Sequence, residues 1–134
     1  MRDPRHLEVV ELAMCLAEVT YQVTRSFPFD ERFGLVAQMR RAAVSVGSNI
    51  VEGCSRSTDR AFASFIDIAL GSVLELDYQA QISLRLGLCD PTLVGELRAH
   101  TARLRRMLSS LNTAVRRREP PAVPVRQRVA PAAP

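Results

Sequence analysis

The chain has 134 residues, of which 47% are hydrophobic, and its formal net charge is +4. This length fits one domain with a single core, and the apolar content excludes an intrinsically disordered chain. No apolar run approaches the ~20 residues of a membrane-spanning helix, and acidic residues interrupt the N-terminal segment where a signal peptide would be apolar. We therefore expect a cytoplasmic protein that has no membrane partner and keeps Cys15, Cys54 and Cys89 as reduced thiols.

Hydrophobic periodicity predicts two helices in the first half of the chain. The first runs from about Leu7 to Thr24 and ends before a Ser-Phe-Pro sequence. The second begins near Asp30 or Glu31 and ends at Gly53, because glycine is a natural helix terminator. This second helix is apolar on nearly its whole circumference, which is typical of a buried helix.

Two further helices are predicted in the second half. The third begins at Ser57 or Thr58 and ends at Leu86-Gly87. The fourth opens at Asp90-Pro91, an N-cap followed by proline at the first helical position, and continues to about Val115 or Arg117. No segment alternates with a period of two residues over a length that predicts a strand.

The predicted fold class is all-α, an antiparallel up-down-up-down four-helix bundle over residues 1–117. Short connections between long helices favour antiparallel neighbours. Residues 118–134 are rich in proline, arginine and alanine, and we expect them to form a disordered tail. Residues 1–115 contain 13 arginines and 13 acidic residues, so the bundle is neutral and the positive excess lies at the C-terminal end.

Helices two and three each carry an apolar face beyond the one that a bundle core can bury. On helix two the seam of Leu35, Met39, Ala42, Val46 and Ile50 faces the core in this prediction. Further apolar side chains lie roughly opposite the core-facing stripes of both helices. Left in water, these faces would expose more apolar area than soluble monomers usually do, so self-association is expected. The predicted oligomer interface comprises Val44, Gly47, Val51, Leu74, Tyr78 and Ile82.

A line of polar side chains on helix two, with two partners on helix three, is the best candidate for a site. We favour a structural network that sets helix register and partner choice, and expect Glu52→Ala or Glu75→Ala to damage assembly or stability. A ligand site and a catalytic carboxylate pair are the other two interpretations. Neither helix contains a histidine for a di-iron site, and no catalytic, cofactor-binding or metal-binding residue is assigned. The network comprises Gln38, Arg41, Ser45, Asn49, Glu52, Ser72 and Glu75.

Arginines near the C-terminus allow a second function, the binding of RNA or DNA phosphates, against the alternative of an unselected solubilising extension. No aromatic residue lies between the tail arginines, so the tail offers no base stacking. The candidate contacts are Arg98, Arg105, Arg106, Arg116, Arg117 and Arg118.

The segment Gln38–Gly53, QMRRAAVSVGSNIVEG, resembles the signature of the bacterial four-helix bundle protein family. That family includes proteins encoded in intervening sequences of large-subunit ribosomal RNA genes and the accessory variability determinant of diversity-generating retroelements. Phe27-Pro28, the Phe62 and Phe65 pair and Ala69–Leu76 extend the resemblance, which covers roughly residues 7–115.

The resemblance implies a non-enzymatic bundle that assembles into a ring, pentameric in the better-known relatives. It also implies an association with nucleic acid or a ribonucleoprotein, although the bundle here lacks the net charge for binding phosphate. Gly47 stands where the family commonly has proline, which softens any kink there. We therefore expect a scaffold module with protein or ribonucleoprotein partners, with nucleic-acid binding as the alternative and an enzyme as the last choice.

Overall fold

The computed structural model describes residues 2–4, 7–118 and 132. Four α-helices make up most of this part of the chain: α1 Glu8–Thr24, α2 Leu35–Cys54, α3 Asp59–Arg85 and α4 Pro91–Arg117. One 3-10 turn, Phe29–Glu31, lies between α1 and α2. The predicted tail, apart from Arg118 and residue 132, lies outside the described residues.

The helices are arranged as a ring of neighbours around one core. Helix α2 contacts α1 and α3, and α4 contacts α3 and α1. Within the described helices, no Cα atoms of the diagonal pairs α1–α3 and α2–α4 come within 8 Å of each other. Three short connections join consecutive neighbours, so the chain runs up, down, up and down. The predicted fold class is confirmed.

The core is built from one face of each helix. On α2 the predicted seam is correct, since Met39, Ala42, Val46 and Ile50 are buried and Leu35 packs at the core's edge. The largest fully buried side chain of the described residues is Phe62 of α3, which belongs to the core cluster formed by all four helices. Among these same residues, no helix combines the length and apolarity needed to cross a membrane.

Local signals set three helix ends where the sequence predicts them. The Thr58 hydroxyl accepts a hydrogen bond from the amide of Ala61 at 3.1 Å, and Asp90 accepts one from the amide of Thr92 at 2.8 Å. Helix α3 ends in a Schellman motif, in which Gly87 has φ +66° and the next amide donates to the carbonyl of Ser83 at 3.0 Å. Glycine takes this left-handed conformation without strain.

The predicted start of α2 is wrong. The segment near Asp30 and Glu31 forms the 3-10 turn, and α2 begins only at Leu35. The Glu31 carboxylate accepts a hydrogen bond from the Leu35 amide at 3.2 Å, so this acid caps α2 from outside the helix.

The predicted role of Gly53 as a terminator is also wrong, because α2 continues through it to Cys54. A Cβ atom at position 53 would lie 2.8 Å from the Phe65 Cβ and 3.0 Å from Cδ2 of Phe62. Glycine is therefore required here by the close approach of α2 and α3 rather than by a turn.

Candidate functional site

A polar groove between α2 and α3 collects most of the predicted network. The hydroxyl oxygens of Ser45 and Ser72 are hydrogen bonded at 2.9 Å across the two helices. The Asn49 side-chain amide donates to the Ser45 carbonyl at 2.8 Å and to its hydroxyl at 3.0 Å. These three side chains form one connected set that fixes the register of α2 against α3.

Three further residues of the predicted network line the same groove: Gln38, Arg41 and Glu75. Glu75 accepts a hydrogen bond from the side-chain amide of Gln79 at 3.2 Å. Within the described part of the chain, no carboxylate lies within ion-pairing distance of Arg41. Gln79 itself is a buried residue that sequence reasoning missed, and among described atoms its side-chain oxygen has no hydrogen-bond partner.

Glu52 does not join this groove. Its carboxylate pairs with Arg56 one turn later, at 2.9 Å, on the exposed surface of α2. Because Ser45 lies opposite Ser72 in an antiparallel pair, Glu52 lies opposite residue 65, about 15 Å along α3 from Glu75. The two carboxylates are therefore too far apart to act together on one proton.

The predicted interface residues divide into exposed and half-buried positions. Val44 and Val51 of α2 and Leu74 and Tyr78 of α3 are exposed. Gly47 and Ile82 are half buried, and a Cβ at Gly47 would meet the Cβ of Ala13 on α1 at 3.4 Å, an ordinary contact distance. Their role as an interface stays a prediction.

The arginines of α4 are partly neutralised within the bundle. Arg98 Nε pairs with Asp77 at 3.1 Å, and Arg116 pairs with Asp67 at 2.5 Å. Four other arginines are exposed and form no ion pair among the described residues. These are Arg105, Arg106, Arg117 and Arg118.

Asp77 is the most heavily hydrogen-bonded carboxylate of the α3–α4 groove. It accepts from Arg98, from the Thr101 hydroxyl at 3.0 Å and from the Gln81 amide at 2.9 Å. Burial would raise the pKa of Asp77, but these hydrogen bonds and the Arg98 charge together hold it below its usual value. Asp77 is therefore an ionised link between α3 and α4. Sequence reasoning did not identify its hydrogen-bond partners.

The connection between α1 and α2 carries a cluster that sequence reasoning also missed. The guanidinium carbon of Arg32 lies 4.1 Å from the ring centre of Phe29 and 4.4 Å from that of Phe33. A second pair lies beside it, since the Arg40 guanidinium is 4.3 Å from the ring centre of Tyr21. The sequence FDERF carried the signal, since two aromatic residues flank an arginine there.

Burial affects two of the three cysteines, and the described residues contain no cluster that could hold a metal ion. Burial raises the pKa of Cys54 and also that of Cys89, so neither thiol is activated as a nucleophile. Among these residues no group of three or more histidine, cysteine or acidic side chains is placed to hold a metal ion.

Comparison with known proteins places this arrangement in a family. The family model described as 23S rRNA-intervening sequence protein matches residues 5–110. The chain belongs to this family. The resemblance drawn from the α2 segment is confirmed.

A solved structure agrees with the fold. It is that of a protein of unknown function from the S23 ribosomal protein family of Bacteroides thetaiotaomicron VPI-5482, with a TM-score of 0.65 and 18% sequence identity. The match covers 78% of this chain and 94% of that one. No curated protein matches the chain. Neither the family's description nor that of the solved structure names an enzymatic reaction.

Proposed function

We propose that this protein is a non-enzymatic, cytoplasmic four-helix bundle that assembles head to tail into a closed ring of identical copies. The ring serves as a scaffold or as an accessory module of a ribonucleoprotein. One observation carries the proposal: the bundle has two different exposed apolar faces on opposite sides.

The first apolar face, Met14, Val44 and Val51, lies along the groove between α1 and α2. All three side chains are exposed, and the groove floor is made of small residues that include Gly47 and Ala43. Small residues on a groove floor allow a partner's side chains to approach the backbone closely.

The second apolar face consists of Leu74 and Tyr78 on α3, both exposed. Gly71 lies on the same side of the helix, and a Cβ there would have nothing within 4 Å. Leu74 also lines the groove between α3 and α4. Since α1 contacts α2 and α3 contacts α4, with no close diagonal approach of the described helices, the α1–α2 groove and the α3–α4 groove that Leu74 lines are on opposite sides of the bundle.

Two unlike faces on opposite sides favour a heterologous contact. Such a contact generates a closed ring when the rotation between copies closes, and an open filament when it does not. The neutral bundle favours close approach, because 13 arginines and 13 acids in residues 1–115 leave little repulsion between copies. The number of copies, five, follows the family resemblance.

Light scattering on the eluting full chain tests the assembly. A ring of five has a mass of about 75 kDa, five times the 14.9 kDa chain. Val44→Glu on the first face and Leu74→Glu on the second are each expected to give monomers, because a buried unpaired carboxylate is costly. Ser109→Glu, at an exposed position of α4, is the matched control and should leave the mass unchanged.

Mixing the two variants tests the head-to-tail arrangement directly. Val44→Glu retains the second face and Leu74→Glu retains the first, so an equal mixture should form a dimer of about 30 kDa, twice the 14.9 kDa chain. If each face bound its own copy by a two-fold axis, each variant would dimerise alone. A dissociation constant of about 10 μM is a modest affinity for a biological interface. A wild-type chain that is monomeric at that concentration would therefore refute the proposal.

The alternative function, nucleic-acid binding through α4 and the tail, stays a prediction. Ion pairing of Arg98 and Arg116 leaves Arg105, Arg106, Arg117 and Arg118 as its candidates among the described residues.

A further inference from the structure

The α1–α2 connection exposes the two most solvent-accessible large apolar side chains of the described residues. Phe29 is 73% exposed and Phe33 is 83% exposed. Neither ring is needed for the core, because the neighbouring Phe27 and Val36 are the side chains that anchor this connection in the core. Two phenylalanines left in water at one end of a bundle therefore need another explanation.

Both rings contact a cation rather than another apolar group. The Arg32 guanidinium lies 4.1 Å from the centre of the Phe29 ring and 4.4 Å from that of Phe33. A groove continues from Phe33 along α2 and is lined by Arg32, Arg40 and Arg41. Cation and aromatic side chains thus alternate along one surface.

The charge of this segment is positive. Residues 25–41 contain four arginines, Arg25, Arg32, Arg40 and Arg41, against two acids, Asp30 and Glu31. The Glu31 carboxylate is engaged by the amide that opens α2, at 3.2 Å. The rest of residues 1–115 contains nine arginines and eleven acids, so the positive charge of the bundle is concentrated in this segment.

We propose that Phe29, Arg32 and Phe33 form a stacking platform for unpaired bases of a single-stranded nucleic acid, and that Arg40 and Arg41 contact its phosphates. Aromatic rings interleaved with arginines bind single strands because each base has a flat face and each nucleotide carries a negative charge. A second copy of this chain fits less well, since a guanidinium against both rings would have to be desolvated in an apolar groove. The proposal does not depend on ring assembly.

Fluorescence anisotropy with labelled DNA tests the platform on the full-length chain. The probes are a mixed-sequence single strand of about 20 nucleotides and the duplex of the same sequence, at about 0.05 M salt, where phosphate contacts are strongest. The wild type should bind the single strand more tightly than the duplex. Phe29→Ala/Phe33→Ala should weaken single-strand binding by about tenfold or more and leave duplex binding unchanged.

Three control variants separate stacking from general effects. Phe29→Tyr/Phe33→Tyr keeps both rings and should restore binding. Leu86→Ala removes an exposed aliphatic side chain at the same end of the bundle, and Arg60→Ala removes an exposed arginine at the opposite end. Both should bind the single strand as the wild type does.

Three outcomes would overturn the proposal. The first is equal binding of single strand and duplex by the wild type. The second is a Phe29→Ala/Phe33→Ala variant that binds the single strand as well as the wild type does. The third is a fall in oligomer mass in that variant with no loss of DNA binding, which would assign the rings to a second copy of the chain.

Discussion

Replacing Gly53 with alanine tests whether α2 and α3 meet as closely as the structure indicates. The added methyl carbon would lie 2.8 Å from the Phe65 Cβ, well inside the ~3.5–4.0 Å of a normal carbon contact. The Phe65 Cβ is rigidly attached to the α3 backbone, so the helices must separate by roughly 0.7 Å or more. Overpacking of this kind costs about 1–3 kcal/mol.

The same substitution has a favourable part that a control must remove. Alanine is better than glycine in a helix interior by about 1 kcal/mol. Gly95 of α4 is exposed and has nothing within 4 Å of an added Cβ, so Gly95→Ala shows this gain alone. The expected result is that Gly53→Ala is less stable than Gly95→Ala by about 1–3 kcal/mol.

Urea unfolding followed by helical circular dichroism measures this difference, with both variants at the same protein concentration so that self-association affects them equally. The slope m should be unchanged, because neither substitution alters the surface exposed on unfolding. Equal midpoints for the two variants would refute the reasoning, since they would show that the contact at residue 53 can relax without cost.

Two further substitutions test links between elements. Asp77→Asn should cost about 1–2 kcal/mol at pH 7, because the ionised carboxylate accepts hydrogen bonds from Arg98 and Thr101. Since the folded pKa of Asp77 is lowered, this contribution is complete above the unfolded pKa of about 3.9 and disappears as the pH falls through the lower folded pKa. In acid unfolding, wild type and variant should therefore begin to converge at about pH 4 and coincide only below the folded pKa of Asp77. Arg2→Ala removes an ion pair with Asp59 and a cation held 4.1 Å from the Phe62 ring centre. The substitution should lower the free energy of unfolding by about 1 kcal/mol in urea melts. An unchanged midpoint would show that the N-terminal segment does not stabilise the bundle.

The helix ends that the sequence predicted correctly are those with a local cause. Thr58, Asp90 and Gly87 act through hydrogen bonds or a backbone conformation within a few residues. The start of α2 was misplaced because Glu31 has the acidic character of a first helical turn but caps the helix from the preceding 3-10 turn. Gly53 was misread for a related reason, since its cause is Phe65 on another helix.

In the candidate site, too, the sequence predicted the features that depend on one helix and missed those that depend on how two helices pack. Helical spacing put Ser45 and Asn49 on one side of α2, and the structure brings Ser72 to them because the two helices pack over their whole length. Spacing alone could not show that Glu52 lies about 15 Å from Glu75, because that depends on the antiparallel register. The Phe29 and Phe33 cluster was missed because the periodicity used here describes α-helices, and both residues lie outside one, Phe29 in the 3-10 turn.

The two proposals centre on different parts of the bundle, its sides and the arginine-rich connection at one end, although Val44 of the first face also lines the groove beyond Phe33. Assembly through the sides requires that neighbouring copies not repel one another, which the balance of arginine and acid in residues 1–115 provides. Nucleic-acid binding requires the opposite, a local excess of arginine, and the segment from Arg25 to Arg41 supplies it at one end of the helices. Any cyclic symmetry places all copies of that end in one plane, equally spaced around the axis. A ring would therefore present the Phe29–Phe33 platforms together. A long single strand that contacts several platforms at once would bind the ring more tightly than it binds any one platform.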